Sequence, residues 1–249
     1  MNDASIEAVL YCRNCMSTLG EGQRYCGSCG QRTGSDRLTM RGISHDLIHA
    51  FTHADHSIFA PIKALVLNPG QVSRDYIEGR RKKYFGPFGF LVIMVGIATF
   101  LIAVLGIDWF TPIKDPASSG FLRLHINVVI LLQMPMLAGW CALLFYNARL
   151  NYAEHLVLAA YATGFRVMML ALLVTPVMYF AHVDPMNSRV LLLYLFIWLA
   201  YFAFAAVGFY GGARWWVALR AVFSAFLAQA TMFAIVFVYI FVSARFAHP

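Results

Sequence analysis

Acidic residues are scarce in most of this chain. After Gly79 the only ones are Asp108, Asp115, Glu154 and Asp184, and charged residues make up 12% of the 249-residue sequence. Soluble domains carry about 25% charged residues, so a composition this poor in charge excludes an ordinary soluble fold. Hydrophobic residues instead reach 60%, and we expect lipid to be the solvent for most of the chain.

Catalytic motifs are also missing. The sequence has no HExxH motif, so it gives no support to a hydrolase of the metalloprotease type. Ser224 and Thr231 have no His or Asp at a matching depth in another predicted span, which argues against an intramembrane enzyme. We therefore expect a protein that is not an enzyme.

Five apolar runs are each close to the roughly 20 residues that a helix needs to cross a bilayer. They cover residues 87–107, 122–146, 156–180, 190–210 and 217–242. Loops are predicted at 108–120 and around His182 to Pro185, where turn-forming residues interrupt the apolar sequence. These runs predict an all-α polytopic membrane protein with five transmembrane helices.

Basic residues predict how the helices are oriented. The first ten residues do not resemble a secretory signal peptide, so the amino-terminal segment is expected to stay in the cytoplasm. The positive-inside rule gives the same orientation and puts the carboxyl terminus outside. The basic residues on the amino-terminal side are Arg80, Arg81, Lys82, Lys83, Arg149, Arg214 and Arg220, against Lys114, Arg123, Arg189 and Arg245 opposite.

Four cysteines near the amino terminus form two CxxC pairs, Cys12 with Cys15 and Cys26 with Cys29. Such pairs let two thiolates approach one ion, and the ten residues between the pairs are enough for the chain to fold back. We predict one structural zinc ion, because four thiolates leave no coordination position for a catalytic water. Disulfides are the alternative, but a cytoplasmic location keeps thiols reduced.

Residues 37–86 are predicted to form juxtamembrane helices. Ile43, Leu47 and Phe51 share one face of a helix, which would lie along the membrane. Four histidines follow the polar side of this region and are either a second metal site or a solvated, pH-sensitive face. They are His45, His49, His53 and His56. Further short helices are expected at 59–67, ended by Asn68-Pro69-Gly70, and from Val72 to Gly79.

Arg166 lies near the middle of the third predicted span, with no acidic residue at comparable depth. A buried arginine costs about 2.5 kcal/mol or more in lipid, so its side chain should face protein or water. Two alternatives are open: Arg166 binds an anionic group such as a lipid phosphate, or it pairs with Gln133 or with backbone carbonyls near Pro135. A basic collar at the start of the membrane domain would serve the same anionic ligand. The collar consists of Arg80, Arg81, Lys82 and Lys83, and Arg149 is expected on the same side of the membrane.

Glu154 and His155 form a polar cluster at the start of the third span. Glu154 is expected to pair with Arg80 or Arg149, and a role as proton acceptor is the alternative.

Three motifs together resemble an uncharacterised bacterial inner-membrane family that has an amino-terminal zinc ribbon. The motifs are the cysteine pairs with Cys26-Gly-Ser-Cys29-Gly-Gln-Arg32, the stretch from Asn68-Pro69-Gly70 to Asp75–Tyr84 and Pro87, and Asn151-Tyr-Ala-Glu-His-Leu-Val157. The resemblance implies a metal-binding head and a multi-span domain, but no activity. Similar proteins carry histidines in the third span, where this chain has Tyr161, Thr163 and Gly164.

The sequence therefore divides into a zinc ribbon with its linker at 1–36, juxtamembrane helices at 37–86 and a helical bundle at 87–249. We expect a membrane adaptor or assembly factor that binds lipids and a protein partner, with transport or binding of an anionic lipid or small anion as the alternative. Nucleic-acid binding is disfavoured, because Tyr11 and Tyr25 offer little surface for stacking.

Overall fold

The computed structural model describes residues 10–33, 37–40, 59–107, 116–184 and 187–246. A small ribbon at residues 10–33 contains the antiparallel strands β1 (Leu10–Tyr11) and β2 (Thr18–Leu19), with Leu10 opposite Leu19. The rest of the described chain is almost entirely helical. Its helices are α1 (Phe59–Leu67), α2 (Pro69–Ile77), α3 (Pro87–Leu105), α4 (Pro116–Leu144), α5 (Tyr152–Met169), α6 (Thr175–Phe180), α7 (Ser188–Tyr210) and α8 (Arg214–Phe246).

Five helical stretches are long and apolar enough to cross a membrane, which confirms the predicted fold class. They cover Pro87–Leu105, Ile126–Leu144, Tyr152–Phe180, Ser188–Tyr210 and Arg214–Tyr239. The prediction of a loop as far as residue 120 was wrong, because α4 already begins at Pro116. Proline suits the first turn of a helix, where its missing N–H leaves no hydrogen bond unmade.

Helix α5 lies at the centre of the bundle and contacts α2, α3, α4 and α7. Nearly every side chain from Ala153 to Met169 is buried, and Gly164 lets Phe90 of α3 approach, since a Cβ at Gly164 would lie 2.6 Å from that ring. The apolar core of the bundle is therefore built around α5.

The burial of the side chains changes part-way along the third span. After Met169 the helix makes a π-helical turn, Leu170–Val174, and continues as α6. A π turn holds one extra residue and so rotates the side chains that follow it. Leu172 and Leu173 within this turn and Val177 and Phe180 beyond it are exposed, whereas α5 is buried.

Helix α1 occupies the range expected for it and ends before Asn68 as predicted, but Pro69 and Gly70 already form the first turn of α2, which was expected to begin at Val72. Helix α2 is packed more deeply than its amphipathic sequence predicts, because its polar residues Ser73 and Asp75 are also buried. Its backbone passes directly against α7. A Cβ at Gly70 would lie 2.4 Å from the carbonyl oxygen of Ala205 and 2.6 Å from Cα of Gly208.

The predicted helix at 43–51 and all four of its histidines, His45, His49, His53 and His56, lie outside the described residues. Their prediction as a metal site or a pH-sensitive face stays a prediction.

We expect Gly70→Ala to destabilise the protein, because the new methyl group would collide with the α7 backbone and force the two helices apart. Overpacking of this kind costs about 2 kcal/mol. Thermal unfolding of the purified protein in detergent should therefore occur at a lower temperature. Gly96→Ala is the matched control, since a Cβ at Gly96 meets nothing within 4 Å and alanine favours a helix interior. Equal melting temperatures for the two variants would contradict the close contact.

Candidate functional site

The four cysteines of the ribbon come together at one point. The sulfur atoms of Cys12, Cys15, Cys26 and Cys29 all lie within 4.8 Å of one another. The Cys12–Cys29 and Cys15–Cys26 sulfurs are 3.6 Å apart. Ligands around a tetrahedral ion with metal–sulfur bonds of about 2.3 Å would be roughly 3.8 Å apart. The donor set and its spacing thus fit one metal ion held by four thiolates.

The two cysteine pairs have the same backbone design. The N–H of Met16 donates to the carbonyl of Cys12, and that of Gly30 donates in the same way to Cys26, at 2.9 and 2.8 Å. Both residues have positive φ, 60° at Met16 and 67° at Gly30. Glycine adopts this conformation freely, so the second turn was foreseeable from the sequence, but methionine at the first gave no signal.

Ser17 was missed by the sequence analysis. Its hydroxyl lies 3.0 Å from the sulfur of Cys15 and 3.1 Å from that of Cys26. This hydrogen bond lowers the pKa of both thiols, that of Cys26 to about 6. Because metal binding needs thiolates, Ser17 favours the protonation state in which the cluster takes up an ion.

The ribbon has no hydrophobic core of its own. Among residues 10–33 only Cys12, Cys26 and Gln31 are buried. A segment without buried apolar side chains cannot offset the conformational entropy of folding, so the metal would have to supply the stabilisation.

Gln31 connects the ribbon to the membrane domain. Its backbone carbonyl accepts from Cys26 N at 2.8 Å, so the residue is part of the second cysteine turn. Its side-chain amide donates to the carbonyl of Gly79, and its side-chain oxygen accepts from the N–H groups of Arg81 at 3.1 Å and Lys82 at 3.4 Å. The turn after α2 is thereby held by the residue that follows the metal site.

The basic collar is organised by a buried carboxylate that the sequence analysis did not single out. Asp75 accepts from Gln71 and Tyr84, both at 2.7 Å, and lies 3.4 Å from Arg80 and 3.9 Å from Lys83. Burial and the neighbouring Asp75 carboxylate raise the pKa of Tyr84, which keeps its hydroxyl protonated as a donor. Much of the charge of the collar is therefore balanced within the protein.

The other two collar residues also have contacts within the chain. Arg81 lies over the ring of Tyr76, 5.6 Å from its centroid, and Lys82 gives its N–H to Gln31. Arg80 further pairs with Glu78 at 2.5 Å.

Glu154 does form an ion pair, but its partner is Arg37 rather than the predicted Arg80 or Arg149. Arg37 donates two hydrogen bonds of 2.8 Å to the two carboxylate oxygens. It gives a third, of 2.6 Å, to the backbone carbonyl of Arg149. Arg149 is placed for this by a positive φ of 54°. The sequence could not reveal this partner, because the two residues are 117 positions apart.

The same carboxylate begins α5. Asn151 accepts from the N–H of Glu154 at 2.9 Å, and Glu154 accepts from the N–H of Asn151 at 2.8 Å, which is a capping box. Asn151 also donates to the carbonyl of the buried Leu38. The Asn-x-x-Glu spacing was a signal in the sequence that could have placed the helix start at Tyr152 instead of Leu156.

His155 is not assembled with Glu154 into a proton-transfer pair. Its ring is buried, 1% exposed, and Nδ1 lies 2.7 Å from the hydroxyl of Tyr210 in α7. No described residue makes a hydrogen bond to its Nε2. The contact joins α5 to α7.

Arg166 pairs with Gln133, which was one of the two alternatives predicted for it. It donates to the side-chain oxygen of Gln133 at 2.8 Å, and Gln133 donates in turn to Gln229 at 2.6 Å. Its guanidinium lies 4.6 Å from the ring centroid of Trp198 and 5.8 Å from that of Tyr194. This cation–π and amide network accommodates the charge without a carboxylate.

Residues 55–99 match a family model described as a protein of unknown function (DUF3667). The match covers α1, α2, the collar and most of α3. No curated protein and no solved structure matches the chain. The matched region includes the turn that Gln31 holds, but it brings no activity with it.

We expect Gln31→Ala to loosen the turn after α2, because the N–H groups of Arg81 and Lys82 lose their acceptor. Hydrogen–deuterium exchange of a peptide covering 79–84 should become faster, while the metal content stays the same. Gln23→Ala is the control, since the Gln23 side chain accepts from Gly20 N in its own turn, and the Gln23 backbone carbonyl that accepts from Thr33 is kept. Unchanged exchange in Gln31→Ala would show that the contact does not hold the turn.

We expect Glu154→Gln to release residues 37–40 while α5 remains intact. Glutamine still fits the capping box but removes the charge that attracts Arg37, so trypsin should cleave after Arg37 more readily. Because the Arg37 side chain is 57% exposed, the melting temperature should change little. Glu78→Gln, which removes the exposed partner of Arg80, should leave this cleavage unchanged, and an equal increase in both variants would contradict the assignment.

Proposed function

We propose that this chain is a membrane-anchored adaptor that is not an enzyme, with a zinc-stabilised head that binds a protein partner. The observation that carries the proposal is the exposed surface of the ribbon. Four large apolar side chains of this coreless segment are exposed: Leu10 by 61%, Tyr11 by 55%, Met16 by 69% and Tyr25 by 63%. Side chains of this kind at an aqueous surface are typical of protein-interaction sites.

Zinc is the metal that suits the head best. Four thiolates in a tetrahedral arrangement are the usual ligands of structural zinc. Such a site is closed to substrate, so the ion would fold the ribbon rather than react.

The positions of the basic residues support a cytoplasmic head. In the described structure most arginines and lysines of the helical part lie at the end of the bundle that carries the ribbon. These are Arg74, Arg80, Arg81, Lys82, Lys83, Arg149, Arg214 and Arg220. The positive-inside rule associates this end with the cytoplasm, and the family resemblance points to a bacterial inner membrane.

The hydroxyls within the spans support a function without catalysis. Ser224 donates to the carbonyl of Arg220 and Thr231 to that of Leu227, each at 2.7 Å. Both hydroxyls thus bond to their own helix, as serine and threonine commonly do in transmembrane helices. Neither has a neighbouring base among the described residues.

The test combines native mass spectrometry with elemental analysis of the protein purified in detergent. We expect about one zinc per chain and a co-purifying protein in the wild type. The double variant Tyr11→Ser, Tyr25→Ser should keep the zinc and lose the partner, because it removes only apolar surface. Cys29→Ser should lose both.

Tyr146→Ser is the matched control, since Tyr146 is 74% exposed at the same end of the bundle but outside the ribbon. It should keep both zinc and partner. A partner that stays bound after the metal is lost would refute the role of the head, and absence of zinc in the wild type would refute the metal assignment.

A further inference from the structure

A cavity of about 490 Å³ opens at the end of the bundle that carries the ribbon. It lies between the turn that follows α4 and the Gly211–Ala213 turn that joins α7 to α8. Its walls include Phe145, Asn147, Tyr210, Trp216 and Arg220. This volume is within the range of small-molecule binding sites.

The floor of the cavity is rigidly built. The rings of Phe145 and Tyr210 stack in parallel, with centroids 3.8 Å apart and planes 2° from parallel. The Tyr210 hydroxyl is fixed by the 2.7 Å contact with His155 Nδ1 described above. Helices α4, α5 and α7 therefore hold this surface in place before any ligand arrives.

The polar groups of the cavity favour an anion. Arg220 is exposed, and its guanidinium makes no hydrogen bond or ion pair with any described residue. No Asp or Glu is among the residues that line the cavity. The first-turn N–H groups of α8 are further donors for an anion. Gly211, Gly212 and Ala213, which precede this helix, have no side-chain oxygen that could accept hydrogen bonds from them.

Arg220 lies near the start of a membrane-spanning helix, where the headgroup layer is expected. Arg220 lies six residues into α8, about 9 Å along the helix axis, in a stretch long and apolar enough to cross a membrane. Trp215 and Trp216 precede it and are 69% and 61% exposed, as interfacial tryptophans usually are. A ligand with a charged head and apolar tails could reach the cavity from the side.

We propose that this cavity binds the phosphate of an anionic headgroup, with Arg220 as the charged donor and Trp216 and Tyr210 as the aromatic walls. The site is distinct from Arg166, whose guanidinium contacts Gln133, Trp198 and Tyr194, and from the basic collar, none of whose residues lines the cavity. It does not depend on the zinc-bound head or on its partner. Either a phospholipid or a soluble phosphate ester could supply this group.

The experiment is native mass spectrometry of the full-length protein in an uncharged detergent, titrated with phosphatidylglycerol or phosphatidylcholine. The wild type should retain phosphatidylglycerol selectively. Arg220→Gln should weaken this retention about tenfold, the usual effect of losing one hydrogen bond between charged groups. Arg220→Lys should retain much of it, because the charge remains.

Arg214→Gln is the matched control, since it removes a charge from the same helix but Arg214 does not line the cavity. Equal loss in the Arg214 and Arg220 variants, or no loss in Arg220→Gln, would overturn the proposal. The melting temperature of each variant without lipid shows whether it is folded. If Arg220→Gln is unfolded, quenching of Trp216 fluorescence by brominated phosphatidylglycerol, compared between wild type and Trp216→Phe, tests the same site.

A parallel titration with glycerol 3-phosphate identifies the source of the phosphate. Stabilisation of the wild type by glycerol 3-phosphate alone, lost in Arg220→Gln, would support the site with a soluble ester as ligand. Stabilisation only by phosphatidylglycerol would support it with a lipid as ligand.

Discussion

The first turn of α5 is the point on which the rest of this structure depends. The first four N–H groups of any helix lack partners within it, and leaving them unsatisfied next to an apolar core is costly. The side chains of Asn151 and Glu154 each accept a hydrogen bond from the backbone N–H of the other residue. The same Glu154 carboxylate also pairs with Arg37. The helix that organises the bundle and the segment that leads from the ribbon are thus stabilised by one side chain.

A second connection reaches the same end of the bundle by a different route. Gln31 belongs to a cysteine turn through its backbone and to the turn after α2 through its side chain. A metal ion held by the four thiolates would set the geometry of that turn in part, because the backbone of Cys26 and Gln31 has to bring the thiolates together. Binding of a metal ion would therefore be linked mechanically to the fit of the ribbon against the membrane domain, because Gln31 belongs to both contacts.

Local patterns in the sequence predicted the elements but not how they connect. The five spans followed from the length of apolar runs, and the cysteine cluster followed from spacing, since both depend on neighbouring residues alone. The partners of Glu154 and Gln31 lie 117 and about 50 positions away, and no periodicity encodes such distances. The close contact of Gly70 with α7 was hidden for another reason: its Asn-Pro-Gly context is also typical of a chain break.

The π-helical turn at Leu170–Val174 divides the third span between two environments. On one side of it the side chains are surrounded by protein, and on the other several of them face outward, where lipid would be their neighbour. Natural variation along this single helix should therefore obey two rules. Before the turn a replacement must match the volume and shape of the residue it replaces, whereas at the outward-facing positions after the turn any side chain soluble in hydrocarbon is acceptable.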